Sequence, residues 1–140
     1  MIIEIISFGF KTNNLPDTNY LIDVRFLNNP YYIDELRGLT GFDKEVINFF
    51  KKDSKVDEFL SHLYTWVGYI LRSNKSANKE KIIIAIGCTG GQHRSPYITE
   101  CLAKHLTDKN LVATEIFVNH RELRKYNILK AKKEGLKNVS

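Results

Sequence analysis

The run Ile82-Ile83-Ile84-Ala85-Ile86-Gly87-Cys88-Thr89-Gly90-Gly91-Gln92-His93-Arg94-Ser95-Pro96 decides the fold. Its five leading aliphatic residues predict a strand buried on both faces. The strand opens directly into a glycine loop. Ser95 suits a helix N-cap, and Pro96 suits the first helical position, where its missing N–H costs nothing. Ile98, Cys101, Leu102, His105 and Leu106 then mark the buried side of a helix, and residues 111–118 form the strand after it. Strand, loop, helix and strand in this order make a βαβ unit, which requires parallel pairing.

On the N-terminal side, residues 2–8 are dense in isoleucine and end at Gly9, so they read as a first strand. Residues 20–27 form a second strand with Asp23 and Arg25 on one side of it, two positions apart. Asn28-Asn29-Pro30 breaks that strand. Between Tyr31 and Asp53 the chain predicts short helical pieces, with Gly38 and Gly41 interrupting and Asp43 capping a turn that carries Val46, Ile47 and Phe50. Val56, Phe59, Leu60, Leu63, Val67, Ile70 and Leu71 form one apolar stripe over about four helical turns. The polar residues 73–79 read as a surface loop. The expected fold class is α/β, a single domain with a mostly parallel sheet flanked by helices.

The 140 residues are 43% hydrophobic and include eight Phe and seven Tyr, enough for one core and too few for two domains. No apolar run approaches the ~20 residues of a membrane span. Residues 1–10 carry Glu4 near their middle and lack the pattern of a signal peptide. Cys88 and Cys101 are too few for a disulfide framework and make no metal-binding pattern with the four histidines. The expectation is a cytoplasmic protein with no membrane, metal or cofactor. The net charge of +5 equals the excess of residues 120–140, where Arg121, Arg124, Lys125, Lys130, Lys132, Lys133 and Lys137 face only Glu122 and Glu134. Such a segment favours polyanions, RNA among them, although a solvated tail has the same composition.

Residues 87–95 have the ingredients of an anion site. Gly90-Gly91 permits positive φ and close backbone approach. The N–H groups that open the next helix have no partner within it, and the helix dipole favours negative charge there. Thr89 and Ser95 supply hydroxyls, and Arg94 can grip phosphate with two parallel bonds. Lys11 and Asn28 also follow strands, so they can converge on the same pocket. The loop is not a Walker loop, since Gln92 and His93 stand where its second glycine and lysine belong; nor do its glycines have dinucleotide spacing.

A catalytic alternative exists. Cys88 through Ser95 fits C-x5-R-S, the loop of cysteine-dependent phosphatases, with Cys88 as thiolate nucleophile, Arg94 activating it and Asp23 as general acid. Gly87 stands where those phosphatases usually carry histidine. Plainer readings compete at several residues: Asp23 and Arg25 as a local ion pair, Cys101 and Trp66 as packing, His105 as a packed helix residue and His62 as a surface one. His93 sits in the glycine turn, where a ligand role outweighs the satisfaction of loop carbonyls.

Five blocks in order resemble the C-terminal domain of the RapZ RNase-adapter family: residues 7–11, Asp23-Val24-Arg25-Phe26-Leu27-Asn28-Asn29-Pro30-Tyr31-Tyr32, Leu36-Arg37 through Thr40-Gly41, residues 87–95, and His120-Arg121-Glu122-Leu123. Asn28 departs from a common proline, Tyr31 from a histidine of some members, and Glu122 from aspartate. The resemblance implies residues 1–123 as an α/β domain similar to a phosphofructokinase-like subdomain, with 124–140 as a basic C-terminal segment. It implies a sensor of a phosphorylated amino sugar, glucosamine-6-phosphate, that acts through interaction and assembles as a homo-oligomer, with RNA as a second partner. Carried over by position, Lys11, Asp23, Arg25, Thr89, Gly90, Gln92, His93 and Arg94 would line the sugar-phosphate pocket, joined in the loop by Cys88, Gly91 and Ser95. Arg121, Arg124, Lys125, Lys130, Lys132 and Lys133 would face RNA.

Overall fold

A computed structural model describes residues 1–109 and 115–130. Among the described residues five strands form one sheet: β1 (Ile2–Gly9), β2 (Tyr20–Asp23), β3 (Lys81–Cys88), β4 (Glu115–His120) and β5 (Lys125–Lys130), in the order β2-β3-β1-β4-β5. The first four run parallel, and β5 closes one edge antiparallel to β4. Single helical turns span Phe10–Thr12 and Pro30–Tyr32. The α-helices are α1 (Asp34–Arg37), α2 (Lys44–Lys51), α3 (Ser54–Ser76) and α4 (Arg94–Lys109).

The helices share one side of the sheet. Ile3 and Ile5 of β1, Ile82, Ile84 and Ile86 of β3, and Ile116 and Val118 of β4 form one buried cluster with Phe50, Val67, Leu71, Ile98 and Leu102. Period-two alternation turns Ile6, Phe8 and Ala85 to the opposite side, where they make a small cluster with Phe10 and Ile83. The aliphatic run of β3 is therefore less evenly covered than its composition suggests: Ile83 is only half-buried.

Several boundaries differ from expectation. β2 ends at Asp23 rather than running to residue 27: Val24 N–H makes the last rung onto Gly87 O at 2.9 Å, and the chain then turns, with Leu27 N–H bonding Val24 O at 3.2 Å. The polar residues 73–76 continue α3 instead of looping out, since Asn74 Nδ2 donates to Ile70 O at 2.7 Å and to the Tyr20 hydroxyl at 3.0 Å. α4 begins at Arg94, one residue before the expected cap, and Tyr97 N–H closes its first turn onto His93 O. Pro96 thus sits inside the first turn, where a missing N–H is still harmless. β4 runs from Glu115 to His120, and residues 111–114 of the strand expected there lie outside the described residues. The basic residues 125–130 enter the sheet as β5.

No helix among the described residues is long and apolar enough to cross a membrane. Nor do they contain a cluster of three His, Cys, Asp or Glu side chains able to hold a metal.

Candidate functional site

The loop after β3 lies at the carboxyl end of the parallel strands and is braced from three directions. Lys11 N–H donates to Thr89 O at 3.1 Å, Val24 N–H to Gly87 O, and Gly41 N–H to Gln92 O at 2.8 Å. A cavity of about 360 Å³ opens beside it, lined by Lys11, Asn29, Tyr31, Tyr32, Arg37, Cys88, Thr89, Gly90, Gln92, His93 and Arg94. That volume is in the range of small-molecule sites. The lining holds three cations and no carboxylate.

Arg94 is the buried member, with 4% of its surface exposed. Its Nη1 donates to Arg25 O at 2.7 Å and Leu27 O at 3.2 Å, and Nη2 to Thr89 Oγ1 at 3.3 Å. Nε has no hydrogen-bond partner. A buried guanidinium N–H without an acceptor is a cost to the fold. Arg37 is partly spent: Nε donates to Tyr31 O at 2.8 Å, and Nη2 pairs with Asp34 at 2.9 Å. Lys11 is exposed, and among the described residues no ion pair holds its ammonium group.

His93 is buried with Nε2 3.0 Å from Leu36 O, so Nε2 carries the proton and donates. Burial lowers its pKa from 6.5 and favours the neutral ring, with the Arg94 charge acting in the same direction. At Cys88, the thiol is buried within 3.2 Å of Ser95 Oγ, and Ser95 N–H donates to the sulfur at 3.4 Å.

Five expected pocket residues do not line the cavity. Ser95 turns inward, and its hydroxyl donates to Phe8 O at 3.2 Å. Gly91, at φ +72°, serves packing: a Cβ there would stand 2.5 Å from Glu122 Cγ and 2.8 Å from Gly9 N. Asp23 and Arg25 hold each other through Nη2 to Oδ2 at 2.7 Å and Nε to Oδ1 at 3.0 Å, the local ion pair. The Arg25 hydrogen bond keeps the Asp23 carboxyl below its ordinary range. Arg25 also lies 4.0 Å over the Phe10 ring. Asn28 is absent from the lining as well, since its side chain donates to Asp53 at 3.0 Å and the neighbouring Asn29 takes its place. Asn29, Tyr32 and Arg37 join the lining although the sequence singled none of them out for that role. Their signal was the Pro30 turn, which folds back over the loop.

Of the basic residues expected to face RNA, Arg121 is engaged internally, donating to Glu122 at 3.1 Å and Thr12 Oγ1 at 3.1 Å. Arg124 is exposed at φ +55°. Lys125 and Lys130 lie at the two ends of β5, and Lys132 and Lys133 fall outside the described residues. A further buried constellation lies behind the loop: His120 Nδ1 is 2.7 Å from Ser7 Oγ and its Nε2 is 2.7 Å from Glu100 Oε2. Ser7 has no exposed surface, so this Ser-His-Glu array is a strut and not a nucleophile.

The family model described as RapZ C-terminal domain matches residues 1–124. A nucleotide-binding protein of Pseudothermotoga lettingae is 42% identical over 124 residues, covering 89% of this chain and 43% of the relative. Nucleotide-binding proteins of Bacillus thuringiensis and Bacillus mycoides are 42% identical over 123 residues, covering 88% of the chain and 41% of each relative. The chain thus spans about two fifths of the length of these relatives.

Proposed function

The chain belongs to the RapZ C-terminal domain family, and on that premise we propose that it is a regulatory binding domain whose loop cavity takes a phosphorylated amino sugar of the glucosamine-6-phosphate type. The observation that carries the reading is the cavity lining, in which Lys11, Arg37 and Arg94 bring three positive charges and no carboxylate answers them. Phosphate oxygens would accept from the Arg94 guanidinium and from Lys11, with the Gln92 and Asn29 amides left for sugar hydroxyls. Charge-assisted bonds contribute ~1.5–3 kcal/mol each, so two or three support micromolar binding before ordering costs. The output is an interaction, with RNA as a second partner of the basic segment that begins at the exposed Arg124, and with a homo-oligomer as the working form in the cytoplasm.

Lys11→Ala is the better test than Arg94→Ala, because Arg94 also ties down the Arg25 and Leu27 carbonyls. Calorimetric titration with glucosamine-6-phosphate should give a micromolar Kd that weakens about tenfold in Lys11→Ala. Absence of heat with any hexose phosphate overturns the reading.

The contact of Ser95 N–H and Oγ with Cys88 Sγ favours a second reading, a phosphatase with a thiolate nucleophile. Against it, Asp23 is held by Arg25 outside the cavity and cannot serve as general acid there. Hydrolysis of an aryl phosphate that is lost in Cys88→Ser would establish this reading.

A further inference from the structure

Beside the phosphate-binding wall of the cavity stands an aromatic wall with an unusual balance of order and exposure. Tyr32 lines the cavity yet has 79% of its surface exposed, and Tyr31 beside it has 51%. Neither ring is on a loose loop. Pro30 fixes the first position of the Pro30–Tyr32 turn, and Asn29 Oδ1 accepts Tyr31 N–H at 3.2 Å. Tyr32 N–H bonds Asn29 O at 3.2 Å and Ile33 N–H bonds Pro30 O at 2.9 Å. Arg37 clamps the same turn, donating to Tyr31 O and placing its guanidinium 5.0 Å from the Tyr31 ring. The two rings meet edge to face with centroids 6.0 Å apart, which braces Tyr32 from the side.

A rigid backbone that presents a bare tyrosine to solvent leaves apolar surface in water with no gain to the fold. The same arrangement is preorganised for a flat guest, because the turn's own hydrogen bonds already hold the ring in place. Resting on the phosphate reading above, we propose that Tyr32 is the specificity-determining residue of the site: it selects phosphate monoesters carried on a ring with an apolar or aromatic side, which lies against the tyrosine while the phosphate reaches Arg94. A pyranose offers such a side through its C–H bonds, and a nucleobase offers it through its π system.

The test titrates the full chain with four probes: inorganic phosphate, glycerol phosphate, glucosamine-6-phosphate and uridine monophosphate. At least one ring-bearing ester should bind about tenfold more tightly than glycerol phosphate. Tyr32→Ala should abolish that advantage and leave inorganic phosphate unchanged, while Tyr32→Phe should retain it. Tightening with the sugar phosphate alone identifies the pyranose as guest, and tightening with the nucleotide alone identifies the base. Equal affinity for glycerol phosphate and both ring-bearing esters, or a ring advantage that survives Tyr32→Ala, overturns the role of Tyr32 with the phosphate reading intact. Failure of all four probes to bind overturns both.

Discussion

The carboxylate of Glu122 accepts the backbone N–H of Gly9 at 2.8 Å, joining two residues 113 positions apart in the chain. The same oxygen receives Arg121 Nε at 3.1 Å. Gly9 packs directly on the loop, where a Cβ on it would stand 2.7 Å from Gly90 C. Glu122 therefore props the loop after β3 from behind and does not line the cavity. Glu122→Gln keeps the shape and removes the charge, so it should lower stability by about 1–2 kcal/mol, read from the urea midpoint at unchanged slope. An unchanged midpoint would remove the prop.

The two adjacent loop glycines should respond very differently to alanine. At Gly91, φ is +72° and the added carbon would meet Glu122 Cγ at 2.5 Å. Left-handed strain alone costs ~1–2 kcal/mol, and the clash adds to it. At Gly90 the nearest atom to an added carbon is Gln92 Cγ at 3.8 Å, and φ is not positive. Thermal melts should show Gly91→Ala destabilised by about 2 kcal/mol or more and Gly90→Ala by less than about 1 kcal/mol. Equal losses would contradict the geometry.

His120 has no exposed surface and bridges Ser7 of β1 to Glu100 of α4, with both contacts at 2.7 Å. Two separate elements are thereby tied through one ring, so removing either partner changes what the other can do. A double-mutant cycle of Ser7→Ala and Glu100→Gln should give a coupling energy between about 0.5 and 3 kcal/mol. Additive losses would mean that the two contacts act independently.

Much of this was legible along the chain because the signals are local. The isoleucine runs of β1 and β3 and the stripe from Val56 to Leu71 mark elements whose partners need not be known. The loop from Gly87 to Arg94 stood out through its glycines and arginine, and most of its residues line the cavity. What stayed hidden depends on contacts distant in sequence. Asn29, Tyr32 and Arg37 reach the cavity because the Pro30 turn folds over a loop some sixty residues later. Ser95 is an attractive phosphate ligand by composition, but its hydroxyl finds Phe8 O first. Asp23 and Arg25 satisfy each other before any guest arrives. Polar residues 73–76 stay helical because Asn74 finds Tyr20, a contact that period and propensity do not encode.

The buried His93 gives the protein an acid limit. Burial lowers its folded-state pKa from 6.5, so the unfolded chain binds the proton more readily than the folded one. Stability from this residue is fully present above about pH 6.5 and is lost as pH falls toward the depressed value, with a slope of at most ~1.4 kcal/mol per pH unit. His105, also lowered mainly by burial, adds a loss of the same sign, so the two must be separated. Urea midpoints at pH 7.5 and 5.5 should fall further in the native chain than in His93→Asn, with His105→Asn accounting for the remainder. A phosphate in the cavity should shrink the His93 part, because an anion beside the ring favours its protonated form. A native chain and a His93→Asn variant with the same acid loss would show that His93 is not held neutral, and phosphate that leaves the loss unchanged would separate the ring from the bound anion.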